Sequence, residues 1–440
     1  MSTSRSGATR TLRQGGKAFG HRNYRLFFTG QAISVVGTWM QQVAQGWLVL
    51  ELTNDPIYLG LVSAIAFSPV LVLGLFGGLV ADALPKRQTL MATQAIQMLL
   101  AFVLFGLAVT HNVQVWHILV LAGLLGITNA VDMPTRQAFA VEMVGRDDVA
   151  NAVALNSAMF NGARILGPAL AGLAIGVFGI PIAFLLNGLS FLAVIAAYSL
   201  MRVDDLHLPP RRPRPGSIRE VRQTLAEGLR YVRHTPVVLL ATVMVGTVST
   251  FGMNFGVIVP AMARDVLHTD ATGYGFLMAA TGIGSLTASL GIAFGGRPRA
   301  ALISIGAVIL GAGLVVAAAI GVFWLALPVM AVVGFGAVSM AATANTTIQM
   351  AVPDELRGRV ISVYTTVFVG STPLGGLIVG SIASRFGVHA SLFVGGIACV
   401  IAGGLGILWM RRIRADEASV RRERAAELAA ERAAEGAAAN

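Results

Sequence analysis

The chain has 440 residues, 55% hydrophobic and only 12% charged, with a mean hydropathy of +0.73 and a formal net charge of +11. A soluble globular domain carries about twice that charged fraction, so a soluble fold is excluded. The single cysteine, Cys399, cannot form an internal disulfide and reads as a small buried hydrophobe, and no cysteine–histidine cluster offers a metal site.

Residues 1–24 are basic and polar, with nothing resembling a cleavable signal peptide. A helix needs roughly 20 apolar residues to cross about 30 Å of hydrocarbon. Twelve stretches meet that need: 25–50, 57–81, 89–110, 114–138, 149–178, 181–201, 236–262, 272–295, 301–322, 325–349, 358–382 and 388–411. They are continuous apolar runs rather than ten-residue stretches of alternating polarity, which excludes a closed β-barrel. The expected fold is an all-α polytopic membrane protein with six-helix bundles at 25–201 and 236–413. A cytoplasmic linker, 202–235, separates them; it begins rich in proline and arginine and continues as an amphipathic helix. The tail 414–440, alanine-rich with interspersed Glu and Arg, reads as a solubilising cytoplasmic segment.

With the amino terminus in the cytoplasm, 29 of the 32 Lys and Arg residues lie inside, counted from the sequence; Arg264 and Arg385 lie outside and Arg164 within a span. The basic excess is thus topological, and nucleic acid is not an expected partner. Both termini fall inside. Several features recur 205–216 residues apart: Gln31, Ser34 and Thr38 against Thr247, Thr250 and Asn254, Asn129 against Asn345, and Gly167-Pro168 against Thr372-Pro373. Parallel six-span halves of this kind support alternating access, with substrate held between them near the midplane. Twelve spans suffice for a monomeric path.

On the first span, Gln31, Ser34, Thr38, Gln41, Gln42 and Gln45 fall within about 100° of arc at 100° per residue. Such a stripe faces an aqueous cavity or another helix, not lipid. It holds no carboxylate, which points to neutral, zwitterionic or anionic amphiphiles rather than permanent cations. Asn161, Thr250, Asn254, Tyr364 and Phe368 are expected to line the remaining walls, with interhelical hydrogen bonding the alternative for any one of them. An ionisable side chain inside a span costs about 2.5–3.5 kcal/mol and is a functional candidate by default. Arg164 on the fifth span is one. Asp132 and Arg136, spaced i, i+4 on the fourth, form another, and Arg164 is expected to compete for the same carboxylate. Protonation of Asp132 would release the arginines; a static ion pair is the alternative.

Three groups of residues carry a family resemblance. Gly78-Leu-Val-Ala-Asp82-Ala-Leu-Pro85-Lys86-Arg87 resembles the loop signature of the major facilitator superfamily, with Ala83 and Pro85 in place of its Arg and Gly. Ala163-Arg164-Ile-Leu-Gly167-Pro168-Ala-Leu-Ala171-Gly172 resembles the superfamily's antiporter signature, with alanine for glycine at 163 and 171; tight helix packing is the other reading of its small residues. The stretches from Asn129 to Gln137, from Asn151 to Ser157 and from Val352 to Val360 are similar to the drug and siderophore exporter branch, which includes enterobactin exporters and macrolide or tetracycline efflux proteins. The resemblance covers about residues 20–413 and implies a major facilitator fold in a bacterial cytoplasmic membrane. It also implies gating at the loops, where Lys86, Arg87, Arg357 and Arg359 would pair with acids on the inside face in one state and part in the other.

The expected function is a secondary exporter of small amphiphilic molecules, drugs or siderophore-like metabolites, driven by protons or, as a variant, by Na+. No Gly-x-x-x-x-Gly-Lys-Ser/Thr sequence offers an ATP site, no cofactor fingerprint is present, and no nucleophile–base set suggests an enzyme. A lysophospholipid or nutrient carrier of the same fold, or a membrane sensor or scaffold using the linker and tail, are the alternatives.

Overall fold

The structure, a computed structural model, describes residues 16–207, 218–294 and 299–412, with the backbone alone at 75–82 and 218–225. Among the described residues there is no strand. Gly78 and Asp82, beyond their backbone, and the tail 414–440 lie outside the described residues.

The first half contains α1 (Arg22–Thr53), α2 (Ile57–Ala83), α3 (Lys86–Val109), α4 (115–144), α5 (146–178) and α6 (Pro181–Ser199). After the linker helix α7 (Ile218–His234) come α8 (Pro236–Phe251), α9 (Phe255–Asp265), α10 (Ala271–Phe294), α11 (Ala301–Ala319), α12 (Phe323–Ala351), α13 (Asp354–Phe386) and α14 (Val388–Arg412). Among the described residues, ten helical stretches are long and apolar enough to cross a membrane. One of them, Val115–Phe178, is two spans joined at Gly145. Helix α1 is not among the ten because its polar stripe dilutes its apolar residues, although 32 residues are ample for a crossing. With both included, the described residues make twelve crossings.

Two boundaries differ from expectation. No loop separates the fourth and fifth spans; helix runs into 139–148 from both sides, and Gly145 alone turns the chain with φ 71° and ψ 177°. That region of φ suits glycine, and the His207 ring lies against it, with Cδ2 3.3 Å from where a Cβ would stand. The seventh span, expected to run unbroken over 236–262, is interrupted between Phe251 and Phe255 and extends to Asp265. Asn254 closes the interruption: its Nδ2 donates to the Ser249 carbonyl at 3.0 Å and the Thr250 carbonyl at 2.7 Å, acceptors that the broken helix leaves without their usual donors.

In the first half α1 packs on α5 and α6, and α3 on α4 and α6; in the second, α12 packs on α8, α10 and α11. Two seams join the halves, α2 to α13 and α5 to α10. Along the first, Gly60 meets Gly376 and Gly380, and Gly370 faces Leu71. Along the second, Gly172 and Gly176 meet Thr272, and Gly275 rests on the Pro168 carbonyl. Arg264 of α9 adds a clasp, its Nη1 donating to the Leu50 carbonyl at 2.8 Å and to Asn54 Oδ1 at 3.3 Å. These contacts occupy the helix midpoints and the end bearing the loops around 54–56, 179–180 and 266–270. At the opposite end, the ion pairs among the described residues stay within one half or join it to the linker.

The linker is fastened at both ends. Asn23 brackets Arg202, donating to its carbonyl at 2.7 Å and accepting from its N–H at 3.0 Å, while the His207 N–H donates to the Glu142 carbonyl at 2.8 Å. On the other side, α7 lies on the second half through an ion pair from Glu227 to Arg359, the buried Val232, and Tyr231 Oη donating to the Ala351 carbonyl at 3.2 Å.

Candidate functional site

Asp132 is 1% exposed and sits where α3, α4 and α1 converge. Its Oδ1 accepts from Thr93 Oγ1 at 2.7 Å and Gln94 Nε2 at 2.9 Å, both from α3. Its Oδ2 stands 3.1 Å from Arg136 Nη2, one turn along α4. The guanidinium is not aimed along a hydrogen bond, so Oδ2 has an ionic partner but no donor; Gln94 Oε1 is likewise buried without one. The site therefore holds two acceptors short of a hydrogen. Arg136 Nη1 donates to Gln31 Oε1 at 3.1 Å, Gln31 Nε2 donates to Tyr198 Oη at 3.2 Å, and the Phe160 ring lies 5.6 Å from the guanidinium carbon. One polar chain thus links five helices: α3, α4, α1, α6 and α5.

Arg164 does not join it. Among the described residues it forms no ion pair, and it lies over the Trp39 ring with its guanidinium carbon 6.0 Å from the ring centroid. The expected competition with Arg136 for Asp132 is absent because α5 presents Phe160, not Arg164, to that carboxylate's neighbourhood.

The α1 stripe divides in two. Gln31 and Ser34 are buried, and Gln41 accepts from Asn187 Nδ2 at 2.7 Å, so this part holds α1 to α6. Thr38 and Gln42 are exposed and Gln45 partly so, and packing between helices does not consume them. Asn161 is partly exposed on the same side of α5 as Arg164, its Nδ2 donating to the Ser157 carbonyl. Across the molecule, Thr250 returns its hydroxyl to the Gly246 carbonyl. Asn254 is no wall residue: it is 5% exposed and committed to the interruption described above. Tyr364 is also largely covered, donating to the Ala341 carbonyl at 3.2 Å and stacking on the partly exposed Phe368 with centroids 6.4 Å apart and an interplanar angle of 5°.

The basic loop residues are all engaged locally. Lys86 Nζ meets Glu142 Oε1 at 2.7 Å, both largely buried. Arg87 donates to the Tyr198 and Ser199 carbonyls at the end of α6, at 2.6 and 3.1 Å. Such a cation at a helix carboxyl end satisfies carbonyls that the helix cannot. Arg357 pairs with Asp354 at 2.5 Å and donates to the Gln349 carbonyl, while Arg359 pairs with Glu227 of the linker. None of these pairings spans the two halves. Breaking the Lys86–Glu142 pair strands a buried carboxylate, an effect of about 3–5 kcal/mol. Lys86→Ala is therefore expected to lower the melting temperature of the purified protein by many degrees, with Lys86→Ala/Glu142→Gln recovering much of the loss.

The small residues of α5 serve two interfaces. A Cβ at Gly167 would strike Trp39 of α1, whereas one at Gly172 would stand 2.9 Å from the Thr272 carbonyl across the seam. Pro168 is buried between them, its carbonyl under Gly275.

Glu142, Thr93, Gln94, Tyr198, Trp39 and Arg264 were missed as candidates. For Thr93 and Gln94 a signal existed, since a threonine, two glutamines and no charge between Ala92 and Gln97 make a polar patch in an apolar span. Glu142 lay beyond the drawn end of the fourth span.

The comparison of the sequence decides which family this fold belongs to. The family described as transmembrane secretion effectors, a branch of the major facilitator superfamily, matches residues 17–435. The chain belongs to this family. As a major facilitator protein it is a multi-pass membrane transporter of small molecules and not an enzyme. It is 29% identical over 387 residues to the multidrug efflux pump Tap of Mycolicibacterium fortuitum, covering 86% of this chain and 93% of the pump. It is 26% identical over 387 residues to the staphyloferrin A transporter of Staphylococcus aureus, again covering 86% and 93%. Its fold superposes with a TM-score of 0.69 on a bacterial homologue of the human lysosomal transporter Spinster in an inward-facing, unoccupied conformation, at 12% identity and covering 88% of this chain and 97% of that one. A POT family transporter in complex with a thioalcohol-conjugated peptide gives 0.71 at 10% identity, covering 89% and 96%.

Proposed function

We propose that the chain exports small amphiphilic organic molecules across a bacterial cytoplasmic membrane by alternating access, with protons moving inward in exchange. The carrying observation is Asp132: a carboxylate buried within a span, with one oxygen lacking a donor beside an amide oxygen in the same state. One proton on Oδ2 supplies a missing donor, cancels the charge that holds Arg136, and frees that arginine toward Gln31 on α1. Protonation in one half thereby reaches the helix that bears the exposed part of the polar stripe. Intramembrane carboxylates in such networks mark proton relays.

Export is supported by the drug and siderophore transporters among the relatives. The charge asymmetry supports cytoplasmic termini and a cytoplasmic linker; at that end no ion pair among the described residues joins one half to the other, and it is the end that on this reading opens inward and accepts substrate from the cell. Lys86, Arg87, Arg357 and Arg359, paired locally in this state, become available to the other half when that end closes. Inverted membrane vesicles acidified inside are expected to accumulate a fluorescent drug several-fold over vesicles lacking the protein, with loss of the gradient on adding an uncoupler. Accumulation confined to right-side-out vesicles would overturn export.

A further inference from the structure

We infer that Arg164 with Trp39 is a recognition point for an oxyanion, a carboxylate or phosphate carried on an apolar body. The inference rests on the transport reading above and narrows its substrate class.

Arg164 lies 18 residues from the start of α5 and 14 from its end, near the middle of a helix that spans. A guanidinium at that place is costly to insert unless it is paired. Arg136 meets that cost with a carboxylate, a glutamine oxygen and a ring. Arg164 has only the Trp39 face among the described residues, a weaker partner than a carboxylate. Its five N–H donors have no protein acceptor among the described residues. Asp132 is matched by Arg136, so Arg164 adds an unbalanced positive charge to the wall.

The surroundings fit an anion with an apolar body. A guanidinium lying over a ring keeps its in-plane N–H edge open, and that edge accepts carboxylate or phosphate oxygens in pairs. Ser157, Phe160, Asn161 and Arg164 share about 100° of arc on α5. Phe160 is 40% exposed one turn away, offering apolar contact beside the charge. Thr38 and Gln42, exposed on α1 next to Trp39 in the chain and three residues beyond it, offer neutral hydrogen-bonding groups.

The test uses the full-length protein in lipid nanodiscs with a dansylated long-chain carboxylic acid and its primary amide. A charge-assisted bidentate contact is worth about 1.5–3 kcal/mol, so the wild type is expected to bind the acid about ten- to hundredfold more tightly than the amide. Arg164→Gln should bring the two affinities within about twofold by weakening the acid alone, while Arg164→Lys keeps part of the preference. Melting curves accompany each variant, and if Arg164→Gln does not fold, the lysine variant carries the comparison through its reduced preference. Equal binding of acid and amide by the wild type, or an undiminished preference in the variants, overturns the inference. Displacement of the acid by lysophosphatidate, but not by monoacylglycerol, assigns the oxyanion to a lipid phosphate; displacement by soluble aryl carboxylates alone assigns it to a carboxylate. The vesicle assay separates the two levels. Export of a neutral drug without acid preference removes the oxyanion site and leaves export standing, whereas no accumulation of any drug removes export and leaves the binding result intact.

Discussion

Asp132→Asn is expected to lower uphill drug accumulation in acidified inverted vesicles at least tenfold, while exchange of labelled for unlabelled drug without a gradient survives. The amide oxygen can still accept from Thr93 and Gln94, so the α3–α4 contact persists. What disappears is the charge facing Arg136 and, with it, the ability to bind and release a proton. The walls bearing Thr38, Gln42 and Arg164 are untouched, which is why facilitated movement remains. Some stability is also lost, because the Arg136 guanidinium keeps only Gln31 and Phe160. Melting curves therefore belong beside the transport assay. Unchanged driven accumulation in a folded variant would move the coupling elsewhere.

The second large effect is expected from a single methyl group at Gly60. A Cβ there would fall on the Gly376 carbonyl of the facing half. Overpacking of this kind costs about 1–3 kcal/mol. It is felt only while the α2–α13 seam is shut, so Gly60→Ala should shift the balance between the two open states about ten- to hundredfold toward the outward-open one. In a Cys399→Ala background, a cysteine replacing Gln42 should react much faster with a membrane-impermeant maleimide applied from outside once Gly60→Ala is added. Gly284→Ala is the contrast. Its Cβ would fall on the Ala331 carbonyl within one half, so the penalty applies to every state and appears as a lower melting temperature, with labelling unchanged. Equal labelling with and without Gly60→Ala would show that the seam does not part.

The architecture was legible because length and hydropathy dictate it: a run of some twenty apolar residues has few fates other than a crossing. Where that reasoning failed, a single residue decided the outcome. Gly145 turns the chain without a polar loop, so the sequence around it reads as a break wider than the real one. Asn254 looked like a wall residue because its spacing repeats that of Thr38, yet the helix interruption consumes its donors. The Asp132–Arg136 pair was readable since i, i+4 partners lie on one helix and need no tertiary knowledge. The rest of that network was not, because Gln31, Thr93, Gln94 and Tyr198 are brought together from three other helices. Arg164 stands out in the sequence as a charge inside a span, but its neighbour depends on how α5 rotates against α1, and hydropathy carries no such information.

One feature of the outer clasp bears on how the protein can change over time. Arg264 grips α1 chiefly through the main-chain carbonyl of Leu50. A backbone acceptor is present whatever residue occupies position 50, so substitutions there leave the grip in place. Its strength can be altered by mutation at Arg264 or at Asp265, which holds the guanidinium at 2.6 Å, and only weakly at Asn54, whose side chain supplies the longer contact of 3.3 Å. Variation in how readily the outer end opens should therefore accumulate on the α9 side, leaving α1 at liberty to vary its exposed face toward new substrates.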